Sequence, residues 1–264
     1  MTSIRKKITR WFYGSCPGFA GSFPYFGSKV YFPKNSWSFL AANEQGIFEA
    51  DNVRIIQALA RPNAVYFDVG ANIGLMALPV LQREPQCRVV SFEPSPNVLP
   101  FLRQTITECK DRDRWTLIPK AVSSKSGNVT FSISNQAESL FDGIQPTQRV
   151  ATVGQVEVDM TTLDDTWREL SCPSISHMKI DVEGGELDVL RGARECIRNE
   201  RPTILLEWNT ENLSAYESSP SLLIDFAQEM NFQILAVPTL AEVHTAPQLA
   251  LQMLFTENFI LCPI

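Results

Sequence analysis

Two hydrophobic periods run through this 264-residue chain, and the changes between them predict its elements. Val65, Phe67 and Val69 fall in the mostly apolar stretch 64–75 (AVYFDVGANIGL), which predicts a strand covered on both faces. Gly70 and Gly74 predict a tight turn and a close backbone approach, with a helix continuing over 75–82. Upstream, Ile47, Val53, Ile56 and Leu59 are roughly helically spaced, which predicts a helix over 44–60, ended by Arg61-Pro62-Asn63. Downstream, 88–94 (RVVSFEP) reads as a second strand. Ser95 is then a candidate N-cap and Pro96 a first helical residue, while Pro100 predicts a later start or a kink. A third strand is expected over 116–122. Short strands over 128–132 and 155–160 flank a polar, Gln-rich loop expected at the rim of a site. Thr162 precedes a short helix whose Asp164 and Asp165 are read as structural. Met178, Ile180 and Val182 alternate with His177, Lys179, Asp181 and Glu183, and Glu186 opens a helix with Leu187, Leu190, Ala193 and Ile197 on one face. A fifth strand (202–209), a helix (219–230) and two last strands (233–237 and 255–261) complete the chain.

A strand, a glycine turn and a helix N-terminus form the place where α/β sheets hold nucleotide-like cofactors. Glu93 ends the second strand about 20 residues past the glycines, where an acid can accept from both ribose hydroxyls. The dinucleotide pattern GxGxxG fails, because Asn72 and Leu75 stand where glycines are required. Asp68 sits badly beside a pyrophosphate and suits a cofactor with a cationic end, such as the amino group and sulfonium of S-adenosylmethionine. Asn72 tolerates the unusual backbone of such a turn and can donate to a ligand. Two carboxylates, Asp181 and Glu183, precede Gly184-Gly185 at the end of another strand. Glu207 and Asn209 end a further one.

The stretches DVGANIG, SFEPSP and MKIDVEGGELDVLRGA, in that order, resemble the signatures of the FkbM-type family of S-adenosylmethionine-dependent methyltransferases, with likeness from about residue 46 to 209. The resemblance implies a Rossmann-like, doubly wound, mostly parallel seven-stranded sheet of the class I methyltransferase type, with helices on both faces and an antiparallel last strand. It implies cofactor contacts from Asp68, Gly70, Ala71, Asn72, Gly74 and Glu93, from Glu49 near the methionine end and from backbone at Ala121 near the adenine. It places Asp181 beside the transferable methyl.

Composition narrows the class. A hydrophobic share of 44% fits a globular protein, and a net charge of −6 without a long basic stripe gives no support for a nucleic-acid partner. Cys16, Cys87, Cys109, Cys172, Cys196 and Cys262 include no CxxC pair, which argues against zinc and for reduced thiols in a cytoplasmic setting. Residues 1–43 are expected to be an extension or lid that does not fold alone, and 44–264 the cofactor-binding domain. Arg5, Lys6, Lys7 and Arg10 before Trp11, Phe12 and Tyr13 leave peripheral membrane contact open; no stretch is long enough to span a bilayer.

The expected reaction is methylation of a hydroxyl on a sugar, glycan, other small molecule or secondary metabolite. N-methylation and a non-catalytic cofactor-binding role are the alternatives. Asp181, Glu183, Glu207 and His244 are the available bases. Asp181, Glu183 and Lys179 are the candidate catalytic groups, and Glu207, Asn209 and His244 the candidate acceptor contacts. A metal-assisted version would take oxygen ligands from the same acids, but no spacing demands a metal and none is expected. The acceptor and the oligomeric state are left open.

Overall fold

The computed structural model describes residues 21–146 and 149–264. The basic, aromatic stretch up to Tyr13, and Cys16, lie outside them. An antiparallel hairpin comes first, β1 (Gly21–Tyr25) and β2 (Ser28–Phe32), turned at Phe26 and Gly27 with positive φ. Two helices follow, α1 (Trp37–Gln45), capped by the Ser36 hydroxyl accepting from Phe39 N, and α2 (Ala50–Leu59). The single helix expected over 44–60 is therefore wrong. Gly46 (φ 82°) and Glu49 (φ 46°) break it, and Ile47 lies exposed in the break.

The α/β core then begins with β3 (Val65–Val69), α3 (Ala77–Arg83), β4 (Arg88–Phe92), α4 (Leu99–Glu108) and β5 (Trp115–Ile118). Both helices start later than the sequence pattern suggests. The glycine turn extends through Met76, and α4 opens at Leu99 with Pro100 in its first turn, where a missing N–H costs nothing. Ser95 thus caps no helix. The strand expected over 116–122 is broken at Pro119 and Lys120. Its second part, β6 (Ala121–Val122), joins a separate three-stranded sheet with β7 (Gly127–Ile133) and β8 (Gly154–Thr161). The rest of the core is α5 (Leu163–Glu169), β9 (Ile175–Ile180), α6 (Glu186–Arg191), α7 (Arg194–Glu200), β10 (Thr203–Glu207), α8 (Thr210–Ala215), α9 (Ser221–Met230), β11 (Phe232–Ala236), β12 (Ala241–Val243), α10 (Ala246–Gln252) and β13 (Asn258–Pro263). Leu187, Leu190, Ala193 and Ile197 are all buried as expected, but on two short helices interrupted at Gly192.

The main sheet has the order β12-β11-β13-β10-β9-β3-β4-β5. Strands β5, β4, β3, β9 and β10 run parallel; β13 is antiparallel to β10 and β11. The expected mostly parallel α/β sheet is present with eight strands instead of seven, the extra one being the three-residue edge strand β12. From β3 the chain runs outward to β4 and β5, then crosses back to β9 and β10. The reversal between β3 and β9 opens a crevice at the strands' C-terminal ends.

Strand alternation divides the core into two faces. Val65, Phe67 and Val69 pack with Met178, Ile180 and Trp208 on one face. Tyr66 joins Leu78, Val89, Phe32 and Phe39 on the other. The hairpin belongs to this second face. Phe32 is fully buried, stacks on Phe39 at 4.1 Å between ring centroids, and Tyr31 N donates to Thr105 Oγ1 of α4 at 3.0 Å. We expect Phe32→Ala to destabilise the protein by about 3–5 kcal/mol. Denaturant unfolding should remain a single transition; a separate early step would mean that the hairpin is an independent unit.

Candidate functional site

A cavity of about 1170 Å³, counted to its open mouth, lies at the crevice between the ends of β3, β4, β9 and β10. Its first wall is the glycine turn. Gly70 takes φ 81°, and its N and the N of Ala71 both donate to Phe92 O at 3.0 Å. A Cβ on Gly70 would stand 1.8 Å from the carbonyl oxygen of Asp181, so only glycine lets the turn pass beside β9. Asn72 takes the left-handed conformation (φ 48°), and its Oδ1 accepts from Ser38 Oγ at 2.8 Å.

Glu93 closes the second wall. Its Oε2 accepts from Asn72 N and its Oε1 from Ser95 N, each at 2.8 Å. Burial pushes its pKa up to about 7, against the two N–H bonds, which pull it down. Ser95 Oγ donates to Asp142 Oδ2 at 2.6 Å, and Asp142 Oδ1 accepts from Ser134 N at 2.7 Å, so the loop after β7 is tied to the end of β4. Ala121 lines the same wall.

The third wall is a set of acids. Lys179 Nζ donates to Asp181 Oδ2 at 2.7 Å. Burial raises the cost of ionising Asp181, but Lys179 and the hydrogen bonds it receives outweigh that and hold its pKa below the usual carboxylate range. Burial also opposes the charge on Lys179, yet Asp181, Glu49 and Asp68 together raise its pKa above the ordinary lysine value. Glu183, at φ 56°, sits within a loop tied by Glu186, whose Oε1 accepts from Val182 N and Gly184 N on either side of it. Glu207, at the end of β10, is pushed well up by burial first and then by the neighbouring Asp181. Glu49 is likewise raised by burial, and its Oε2 accepts from Asn52 Nδ2 at 2.9 Å.

Ten of the expected site residues line the cavity: Glu49, Gly70, Ala71, Asn72, Glu93, Ala121, Lys179, Asp181, Glu183 and Glu207. Four do not. Asp68 is fully buried behind the wall, because strand alternation turns it to the same face as Tyr66; it accepts from Tyr66 OH at 3.1 Å and Ser91 Oγ at 3.4 Å. Gly74 is a packing position, where a Cβ would meet the Trp115 ring at 2.7 Å. Asn209 caps α8 by accepting from Asn212 N. His244 follows β12 at the far edge of the sheet, exposed, with Nε2 3.0 Å from Glu242.

The cavity residues outside the expected set include Lys120, Asp142, Arg149 and Glu257, and of these Arg149 and Glu257 meet the acids of the third wall. Arg149 lies in the polar loop between β7 and β8, with its guanidinium among Glu257 (2.9 Å), Glu207 (3.2 Å), Glu211 (3.3 Å) and Glu183 (3.6 Å). Neither residue carries a local motif; both reach the site through tertiary packing, so the only signal was the expectation that the loop rims the pocket.

Residues 68–234 match the family described as Methyltransferase FkbM domain. The chain belongs to the FkbM methyltransferase family. It is thus an enzyme, a methyltransferase. It is 29% identical over 172 residues to the 2-O-methyltransferase NoeI of Sinorhizobium fredii, covering 61% of this chain and 69% of that protein. It is 31% identical over 153 residues to the hexuronic acid methyltransferase AglP of Haloferax volcanii, covering 57% of this chain and 59% of that protein. The crystal structure of the methyltransferase FkbM from Methylobacillus flagellatus is 17% identical, with a TM-score of 0.47 over 85% of this chain and 52% of the other. The five described cysteines form no disulfide, and no helix among the described residues is long and apolar enough to cross a membrane.

The Gly70 turn generates a direct test. Gly70→Ala combines a left-handed backbone with overlap against Asp181 O, and should destabilise the fold by about 2–5 kcal/mol. Thermal denaturation reads this; an unchanged midpoint would mean that β3 and β9 do not approach as described.

Proposed function

We propose that this FkbM-family enzyme transfers a methyl group from S-adenosylmethionine to a hydroxyl oxygen of a saccharide or similar polyhydroxylated small molecule. The carrying observation is Glu93, a buried carboxylate at the cavity end of β4, aligned by two backbone N–H groups beside the Cβ-free turn at Gly70. The chemistry of the lining fits the cofactor. A carboxylate suits a ribose diol, the glycine turn leaves room for a close approach, and the acids Glu49 and Asp181 suit a cationic amino and sulfonium end. The names of NoeI and AglP support a sugar oxygen as acceptor.

When bound, S-adenosylmethionine supplies a methyl group already activated by its sulfonium. The chain's residues then have two tasks. The cavity walls hold the acceptor hydroxyl in line, an arrangement that can be worth about 7–11 kcal/mol of barrier. Asp181, kept ionised by Lys179, accepts the hydroxyl proton as the oxygen becomes nucleophilic. Glu207 and Glu183 hold neighbouring acceptor hydroxyls. Lys179 positions Asp181 and does not itself reach for a proton, since its pKa lies above the usual lysine value.

Calorimetric titration with S-adenosylhomocysteine, with NAD as control, tests the cofactor. Micromolar binding of the first alone is expected, and no binding would overturn the reading. The pH dependence follows from Glu93, whose pKa of about 7 leaves it protonated below that value in the unliganded protein. Only the ionised carboxylate accepts from both ribose hydroxyls, so affinity should fall as pH drops through about 7, approaching tenfold per pH unit. Glu93→Gln should weaken binding and flatten that profile. Asp181→Asn should lower turnover by about a hundred- to ten-thousandfold with the fold retained; full activity would remove Asp181 from the chemistry.

A further inference from the structure

We propose that Asp181, Glu183 and Glu207 form a divalent-cation site at the acceptor end of the cavity. Each offers a carboxylate oxygen, and the three oxygens lie within 4.8 Å of one another. Hard, anionic oxygen donors of this kind select magnesium, manganese or calcium. Two of the three sit at the ends of adjacent parallel strands, Asp181 just past β9 and Glu207 closing β10, so the sheet itself fixes their separation.

A cluster of acids alone says little. The second observation is Glu183. The residue is only 4% exposed, it lines the cavity, and its Oε2 is a buried atom without a hydrogen-bond partner. The nearest cation, Arg149 Nη1, stands 3.6 Å away, which is an ion-pair distance and not a hydrogen bond. A carboxyl oxygen left without a hydrogen-bond partner inside a protein is costly, and a divalent ion bound there would give it one. Charge balance points the same way. Seven carboxyl groups line the cavity, from Glu49, Glu93, Asp142, Asp181, Glu183, Glu207 and Glu257, against the three cationic side chains Lys120, Arg149 and Lys179. Lys179 is engaged by Asp181 Oδ2, and Arg149 is divided among four acids, one of them the exposed Glu211 outside the cavity.

Arg149 occupies the cation's place in the unliganded chain. It stands on the loop between β7 and β8, not on the sheet, and a metal takes its place by displacing it. For catalysis, a role that rests on the acceptor reading above, the ion would hold two acceptor oxygens and make the reacting hydroxyl easier to deprotonate.

The test is a titration of chelator-treated protein with Mn²⁺, following the loss of the free-ion electron paramagnetic resonance signal. We expect one Mn²⁺ per chain with Kd between about 10 µM and 1 mM, as for carboxylate sites of moderate rigidity. Glu183→Gln and Glu207→Gln should each weaken it at least about tenfold. Arg149→Ala should tighten it, a gain that partial unfolding cannot imitate. Glu211→Gln, which removes a surface charge outside the three ligands, should leave it unchanged. No binding by wild type and Arg149→Ala up to about 10 mM would overturn the site. So would binding that ignores Glu183→Gln and Glu207→Gln, or that falls equally with Glu211→Gln, since either marks an adventitious ion only. S-adenosylhomocysteine binding, measured separately on metal-free samples, distinguishes the two proposals: Mn²⁺ binding without S-adenosylhomocysteine binding would count against the cofactor, and the reverse against the metal.

Discussion

The site depends on one backbone contact. Gly70, leaving β3, passes so close to Asp181, leaving β9, that no side chain fits between them. The ladder extends to that point, with Asp181 N donating to Val69 O at 3.0 Å, while Gly70 N and Ala71 N turn to Phe92 O of β4. Three strand ends are thus welded into one rim. The turn that would receive a cofactor, the acid on β4 and the acid on β9 cannot move independently of one another. For methyl transfer this rigidity is what matters, because an in-line reaction loses rate steeply when its partners drift by an ångström.

Electrostatics then divides the cavity. On the β4 side a single carboxylate, Glu93, is held by neutral N–H donors and sits near its ionisation point. On the β9–β10 side Asp181, Glu183, Glu207 and Glu257 crowd Lys179 and Arg149, and the lowered Asp181 beside the raised Glu207 records the crowding. Like charges so close cannot all ionise in a dry site, so one member of the pair is driven down and the other up. That separation favours the ionised form of Asp181 and the neutral form of Glu207.

Much of this was legible in the sequence, and the misses have physical causes. Local signals carried the glycine turn, Glu93, Asp181, Glu183 and Glu207, because a strand end followed by glycine places its side chains at the rim of any such sheet. Parity was the signal left unused. Along 65–69 successive side chains alternate between faces, so an acid next to the inward Phe67 and Val69 had to join Tyr66 behind the wall. Gly74 was read as a ligand glycine although its freedom from a Cβ serves the Trp115 ring. Arg149, Glu257 and the hairpin against α4 depend on contacts between distant parts of the chain, which no window of sequence displays.

Asp68 nonetheless matters to the chemistry from behind the wall. It lies in register with Ser91 on β4 and Lys179 on β9, and the Trp115 indole donates to Ser91 Oγ at 2.9 Å. A buried polar row therefore crosses the sheet from Trp115 through Ser91 and Asp68 to Lys179. Burial pushes Asp68 up to about 6, with Lys179 and the hydroxyls of Tyr66 and Ser91 opposing that rise. Near neutral pH it is ionised and adds to the field that keeps Lys179 charged; Lys179 in turn keeps Asp181 ionised at the cavity. An acid in the sequence motif thus bears on the cavity's charge without lining it: Asp68 supports the charge on Lys179, and Lys179 supports that on Asp181.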